Sequence, residues 1–452
     1  MHSDTPAADV AASDVTGHAE GDLTDLEVRV LQAIDEPGIL RDLRELVGIP
    51  SVGGTPAEAA AQQWCARRLR ELGLAVDEWA VDVAAEQRAD GFPGMEVERD
   101  QARGCVGVMG GPATPGGAGD RGGMPALALC GHTDVVPPGD LSQWPVAGPY
   151  ELRVEDGTAF GRGACDMKGG LAAVLGAVSA ITASGAALLR PLAVHAVSAE
   201  EDGGLGAFAT LRRGHRASAC VIAEPTDGAV VPANGGSLTF RISIEGRATH
   251  GSTRTRGVSA VDLLRPVQDA LAELEAERNA AVPELFSHLD LAWPLSIGVV
   301  RAGDWASTVP DRLVAEGRYG VRLGESLDAA RSAFERAVAL TGPGHPWLRD
   351  HPVSVAWPGG AFASGALPEG DPLLADVRAC VVDQGGATPA ALGGPYGSDL
   401  RHYAAAGIPT VQYGPGEVRH AHACDEQVEV ADLLRCARVY ALLALRRCGV
   451  RD

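Results

Sequence analysis

The chain has nine cysteines in 452 residues but no CxxC pair and no short-spaced cluster of them. Neither a disulfide framework nor a thiolate zinc site is therefore expected. Positive charge is also short: 38 Lys and Arg stand against 59 Asp and Glu, for a formal net charge of −21. With that balance, neither nucleic acid nor an anionic membrane surface is expected as a partner, because both repel an acidic chain. No long apolar run is present. The longest, Leu171 to Ala183, is broken by Gly176 and Ser179 and falls short of the roughly 20 residues that cross a bilayer. The first residues show no basic stretch followed by an apolar one, so no secretory signal is expected and the reading is a cytoplasmic protein. What is there is a folding composition, 46% hydrophobic and 21% charged. The length exceeds the roughly 250–300 residues at which single cores usually divide.

Residues 1–22, rich in Ala, Ser, Asp and Gly, read as a flexible arm. Helices are expected over Leu23–Ile34 and Pro56–Leu72, and a glycine-rich loop from Gly110 to Gly123. Three apolar strands then end in polar groups. Ala126–Cys130 runs into Gly131-His132-Thr133-Asp134, Leu192–Val197 into Ser198-Ala199-Glu200-Glu201-Asp202, and Ala219–Ile222 into Glu224-Pro225. Strands that deliver His and carboxylates at their carboxyl ends fit an open α/β sheet, where ligands bind at that edge. Leu171–Ile181 reads as a crossover helix. After about Asn234 the texture changes to alternating short strands and helices, with a strand at Leu238–Glu245, a helix at Ser259–Glu277, a strand at Val309–Val321 and a helix at Ser326–Ala337. Sheet-like sequence resumes at Pro409–Gly414, and a helix over Ala431–Leu445 closes the chain. The expected organisation is an α/β part at 23–234, a small α+β unit inserted at 235–350, and a second α/β part at 351–452.

The polar groups have spacings that bear on chemistry. His132 and Asp134 are two apart and leave an extended strand on one face, so one can ligate a metal while the other fixes its surroundings. Asp166 sits among glycines in Gly161–Gly170, either as a metal bridge or as a helix-start cap. Glu200 and Glu201 are adjacent and point in different directions, so one carboxylate can hold metal while the other takes a proton. A solvated acidic loop is the alternative. Glu224 directly follows an apolar strand and needs a partner there. His420 and His422 could both ligate a metal or form a surface pair, and Cys424 fits a small buried residue better than a ligand. His250 lies far in sequence from these motifs, in a structural role or as a catalytic group brought by domain closure or a second subunit.

Taken in order, the segments GHTDVVP at 131–137, GRGACDMKGG at 161–170, SAEEDGG at 198–204, AEPT at 223–226, GRATHGS at 246–252 and AHACDE at 421–426 resemble the di-zinc aminoacylase family. That family includes acetylornithine deacetylase, succinyl-diaminopimelate desuccinylase, carboxypeptidase G and related dipeptidases. The resemblance runs from about residue 24 to the end. It implies an α/β/α catalytic domain with an inserted α+β dimerisation (lid) domain, a homodimer, and two Zn2+ per subunit, with Co2+ or Mn2+ as substitutes. It further implies His132, Asp166 and Glu224 as one ligand set and Asp166, Glu201 and His422 as the other. Asp134 would orient His132, Glu200 would be the general base, and the Asp166–Met167 bond would be cis. His250 would reach the partner's active site and hold the oxyanion. The implied reaction is hydrolysis of a linear amide, most simply removal of a small N-acyl group, with dipeptidase or carboxypeptidase action as the alternative. Relatives carry a carboxylate-gripping Arg where this chain has Gly320, so Arg318 is expected to substitute, with Arg322 as the other neighbour. Gly397, Ser398 and Arg401 resemble a segment that lines the substrate pocket.

Overall fold

A computed structural model describes residues 23–111, 123–145 and 148–451. The arm expected at 1–22 and most of the glycine-rich loop after Gly110 lie outside the described residues. Nine strands build a mixed sheet, in the spatial order Ala75–Val81, Ala102–Met109, Leu192–Val197, Leu127–His132, Cys220–Ile222, Thr410–Gln412, Val230–Asn234 and Gly365–Ala366, with Ala391–Gly394 also paired to Val230–Asn234. The four from Leu192–Val197 to Thr410–Gln412 are parallel. Leu127–His132 and Leu192–Val197 are buried at every residue, as strands must be when helices cover both faces. Thus the three expected strands lie side by side, and their carboxyl ends open on the same edge.

The helix Lys168–Ala183 crosses behind this edge. Its sequence is apolar almost all round and nearly all of it is buried, the pattern of a helix with no solvent face. A Cβ on Gly170 would overlap the carbonyl of Ala223. Glycine there lets the helix start press against the strand end that carries Glu224.

Several elements escaped the sequence reading, among them two strands and a helix that flank the parallel block. Ala102–Met109 and Ala75–Val81 form an antiparallel margin on the parallel block. Gly104 and Gly107 weaken the strand signal of the first, yet both are filled across the sheet. A Cβ on Gly104 would strike the Trp79 indole, and one on Gly107 would press on Leu74 at 3.0 Å. The helix among them is Glu36–Val47, which buries Ile39, Leu43, Leu46 and Val47.

A second, five-stranded antiparallel sheet has the order Leu295–Ala302, Arg312–Val321, Gly236–Glu245 and Ser354–Ala356, with Ala361–Phe362 also on Gly236–Glu245. Its strands continue past residue 350. Alternate residues of Gly236–Glu245 are buried, and Leu238, Phe240, Ile242 and Ile244 pack with Leu263, Val267 and Leu271 of the helix Ala260–Asn279 and Phe334 of Leu327–Ala339. Gly235 alone separates this sheet from the last residue of Val230–Asn234. The site edge and the small sheet are therefore joined by one residue of backbone. Among the described residues, no helix is long and apolar enough to cross a membrane.

Candidate active site

The carboxyl ends of the parallel strands bring five of the expected groups to one place. His132 ends its strand, Glu200 and Glu201 follow Val197, Glu224 follows Ile222, and His422 comes from the loop beyond Gln412. Asp166 enters from the turn before the helix Lys168–Ala183, next to a cis Asp166–Met167 bond. His132 Nε2 lies 3.1 Å from Asp166 Oδ1 and 3.9 Å from Glu224 Oε1. His422 Nε2 lies 3.1 Å from Glu201 Oε2 and 3.5 Å from Asp166 Oδ2. Donor atoms of His132, Glu200 and Glu224 lie within 4.8 Å of one another, as do those of His132, Asp166 and Glu201. Asp166 is thus in contact with both imidazoles. His420 turns away and meets Gln427, and Cys424 Sγ faces the carbonyl of Pro138.

Ala199 takes a left-handed conformation, φ +58°, uncommon for a residue with a Cβ. The chain turns sharply there, immediately before Glu200. Asp134 serves His132 through its backbone: His132 Nδ1 is 3.0 Å from the Asp134 carbonyl, while the nearer carboxylate oxygen is 3.7 Å away. The same side chain accepts the backbone N–H of Glu201 at 3.1 Å, so Asp134 ties the two loops together.

A pair without an assigned role in the sequence reading holds the other side. Glu426 accepts the backbone N–H groups of Cys165 and Asp166 on Oε1, at 3.0 and 2.9 Å, and meets Arg162 Nη1 at 2.6 Å on Oε2. Arg162 Nη2 donates to the His422 carbonyl at 3.2 Å. Both side chains are 1% exposed, and a charged pair so buried persists only when its remaining hydrogen bonds are met. Through it the Asp166 and His422 loops are held to one another. Both residues stand inside the 161–170 and 421–426 segments, so the signal was there; what sequence could not show was that they meet.

The charges are out of balance. Burial, then repulsion from neighbouring carboxylates, pushes Glu200, Glu201 and Glu224 above the usual carboxylate range. Asp166 goes the other way: its hydrogen bonds to His132 and His422 outweigh its burial and hold it ionised. His422 is carried up to about 11 by hydrogen bonds to Asp166 and Glu201. Burial opposes protonation of His132, but Asp166 and Glu224 more than offset it. Four carboxylates gathered around two imidazoles call for added positive charge. Carboxylate oxygen and imidazole nitrogen without thiolate are a donor set for zinc, cobalt or manganese. The residues fit such ions.

These groups open on a cavity of about 380 Å³, whose wall includes Arg318, Gly320, Phe362, Tyr396, Gly397 and Ser398. Ser398 Oγ donates to Asn234 Oδ1 at 2.9 Å. Arg401 is not among the lining residues. Its terminal nitrogens donate to the carbonyls of Ser398 and Gly203, at 2.7 and 2.6 Å, and its guanidinium lies 4.1 Å from the Phe362 ring centre. Gly320 explains why no arginine stands there: a Cβ would come within 2.9 Å of the Trp293 backbone. His250 is outside the cavity wall and exposed on the small unit, with Nδ1 2.8 Å from Ser252 Oγ. Arg322 points elsewhere, toward the carbonyl of Glu277.

A profile of the peptidase family M20/M25/M40 matches residues 128–446, a span that holds the whole donor cluster. The chain belongs to this family. With the donor cluster, membership makes it an M20 metallohydrolase. It is 32% identical over 342 residues to a succinyl-diaminopimelate desuccinylase of Gluconacetobacter diazotrophicus, covering 72% of this chain and 82% of the relative. It is 26% identical to an N-formyl-4-amino-5-aminomethyl-2-methylpyrimidine deformylase of Halalkalibacterium halodurans, over 72% of this chain and 80% of that one. Among solved structures, a dipeptidase of Saccharomyces cerevisiae superimposes with TM-score 0.72 at 16% identity, covering 94% of this chain and 99% of its own. That likeness concerns the fold: the M20 chain shares the mixed α/β sheet with its separate small antiparallel sheet.

Proposed function

We propose that the protein is a di-zinc deacylase that removes a small acyl group from an N-acylated amine or amino acid. The observation that carries this reading is a buried Glu200 beside five convergent donors that open on one cavity. His132, Asp166 and Glu224 would hold one divalent cation and Asp166, Glu201 and His422 the other. Such a pair, zinc or in its place cobalt or manganese, supplies the charge that polarises an amide carbonyl and acidifies the attacking water.

The chain's own groups do the rest. Glu200 Oε takes a proton from water as it attacks and delivers it to the amine nitrogen as the C–N bond breaks; burial and the Asp399 charge raise this carboxyl above the usual carboxylate range, which makes it a better proton acceptor than an ordinary carboxylate. Asp134 fixes His132 and the Glu201 backbone. Gly397 and Ser398 bring backbone and hydroxyl to the substrate wall, and Arg318 lines the same cavity.

His250 reaches the reaction from a second copy of the chain, where it donates a hydrogen bond to the oxyanion. Its exposed place away from the cavity supports this. So does the outer strand Leu295–Ala302 of the small sheet, which pairs on one side only, with Val299 and Val300 37% and 50% exposed. An unpaired edge of that kind is a natural seam for a homodimer.

Deacylation is favoured over peptide cleavage because a dipeptidase or carboxypeptidase needs a firm grip on a product carboxylate, and Gly320 has no room for one. Turnover of N-formyl, N-acetyl and N-succinyl amines and of dipeptides, by metal-loaded and metal-stripped protein, tests the reading. Hydrolysis of dipeptides alone would overturn it.

A further inference from the structure

The stretch from Glu86 to Gly111 carries none of the motifs that form the donor cluster. Its portion from Pro93 to Arg99 threads between the Glu200 loop and the small sheet. The Pro93 carbonyl accepts the N–H of Ala361 at 2.7 Å, and the Glu96 N–H donates to the Asp202 carbonyl at 3.1 Å. Asp202 Oδ2 accepts from Val97 N and from Arg99 Nη1, each at 3.0 Å, and Arg99 is buried and also paired with Glu58 at 3.3 Å. Glu96 is therefore fixed from behind by the loop that carries Glu200 and Glu201.

Its carboxylate points the other way, to the cavity wall. Glu96 Oε1 meets Arg318 Nη1 at 2.5 Å and accepts from Thr239 Oγ1 at 2.8 Å, while Arg318 Nη1 stands 2.7 Å from the same hydroxyl. Among the described residues lining the cavity, Arg318 is the single Arg or Lys. Thr239 and Arg318 face each other across paired strands, so the three groups close a triangle. Gly320, two residues along, cannot carry a side chain, and Arg401 is spent on carbonyls.

We infer that Glu96 is a specificity-determining residue: by pairing with Arg318 it cancels the positive charge of the substrate wall and selects N-acyl substrates that carry no free carboxylate there. The inference rests on the proposed deacylase reading and narrows it. A carboxylate brought to Arg318 would sit against the charge of Glu96, a repulsion costing about ten-fold in affinity at a half-buried site. An uncharged amine meets no such charge, and the proline and phenylalanine surfaces of the wall, Pro294, Pro395 and Phe362, accept it. Glu96 acts through Arg318 and is thus a positioning residue.

The test uses N-acetyl-phenylalanine and N-acetyl-phenethylamine, which differ only in the carboxylate, with metal-loaded protein. The parent should favour the phenethylamine derivative in kcat/KM, and Glu96→Gln, which keeps the shape and drops the charge, should move the ratio toward the acid by about ten-fold through KM. Adding Arg318→Met to Glu96→Gln should erase that gain. A second measurement does not need turnover: titration calorimetry of N-acetyl-phenylalanine on a Glu200→Ala background should show about ten-fold tighter binding when Glu96→Gln is added. Melting temperatures within about 2 °C of the parent show that the variants fold, since a half-exposed ion pair contributes little stability. A parent that prefers the acid, or a Glu96→Gln change that leaves both the ratio and the calorimetric affinity within about two-fold, overturns the role of Glu96. Failure of the parent on every N-acyl compound, with the calorimetric shift intact, overturns the deacylase reading and leaves the Glu96 pairing standing.

Discussion

His422 Nε2 stands 3.1 Å from Glu201 Oε2 and 3.5 Å from Asp166 Oδ2, although Glu201 lies 221 residues earlier in the chain. His422→Ala removes the imidazole from one half of the donor cluster and leaves His132, Asp166 and Glu224 in place. About one of two bound metal equivalents should be lost, read by elemental analysis after dialysis, while Asp166→Ala should lose both. Equal loss in the two variants would show that Asp166 does not join the halves.

Glu200 lies within 4.8 Å of the His132 and Glu224 donor atoms, so its substitution separates a base from a ligand. Glu200→Ala should retain its metal content and lose about 10³-fold or more in turnover, the range of a general base. Metal that departs with the side chain would reassign Glu200 to coordination.

For His250, exposed and absent from the cavity wall, the expected result is a loss of about 10²-fold in kcat on His250→Ala with metal content unchanged. Specific activity of the parent should also fall on dilution, in step with dissociation seen by sedimentation. Full activity in a monomer would remove the second copy from the mechanism.

Stability in acid has a separate origin. His195 is enclosed between strands with Nδ1 2.8 Å from the Tyr403 hydroxyl, and burial, with His215 nearby, pushes it down to about 3. An unfolded histidine titrates near 6.5. Below that pH the unfolded chain takes a proton that the folded one refuses, so stability present above about pH 6.5 is lost as the pH falls toward 3, by about 1.4 kcal/mol per unit. Denaturant titrations should show about 2 kcal/mol less stability at pH 5 than at pH 7 from this group, and His195→Gln should flatten that slope. An unchanged slope would place the acid sensitivity elsewhere.

Gly320→Ala offers a packing test. Its Cβ would lie 2.9 Å from the Trp293 Cα and carbonyl carbon, and backbone cannot step aside as a flexible side chain can. A loss of about 1–3 kcal/mol in urea unfolding is expected. A neutral substitution would mean that the glycine is not required by the Trp293 backbone.

How much was legible follows from what each signal depends on. Apolar strands buried on both faces, such as Leu192–Val197, announce themselves because every residue must leave water. The glycine and carboxylate segments beside them are local, so His132, Asp166, Glu200, Glu201, Glu224 and His422 could each be singled out one by one. Ala102–Met109 stayed hidden because its strand character resides in Trp79 and Leu74, which fill the space over its glycines from other parts of the chain.

The order of the motifs and the residue types in them were determined by the sequence alone, because metal-donor chemistry is a property of the side chain wherever it sits. Which groups meet was decided by the tertiary structure. The Arg162–Glu426 pair, the Asp134 contact with the Glu201 backbone, and the capture of Arg318 by Glu96 each join residues far apart in the chain. Charge interactions depend on distance in space and on the water excluded between the partners, and neither quantity exists until the sheets have packed.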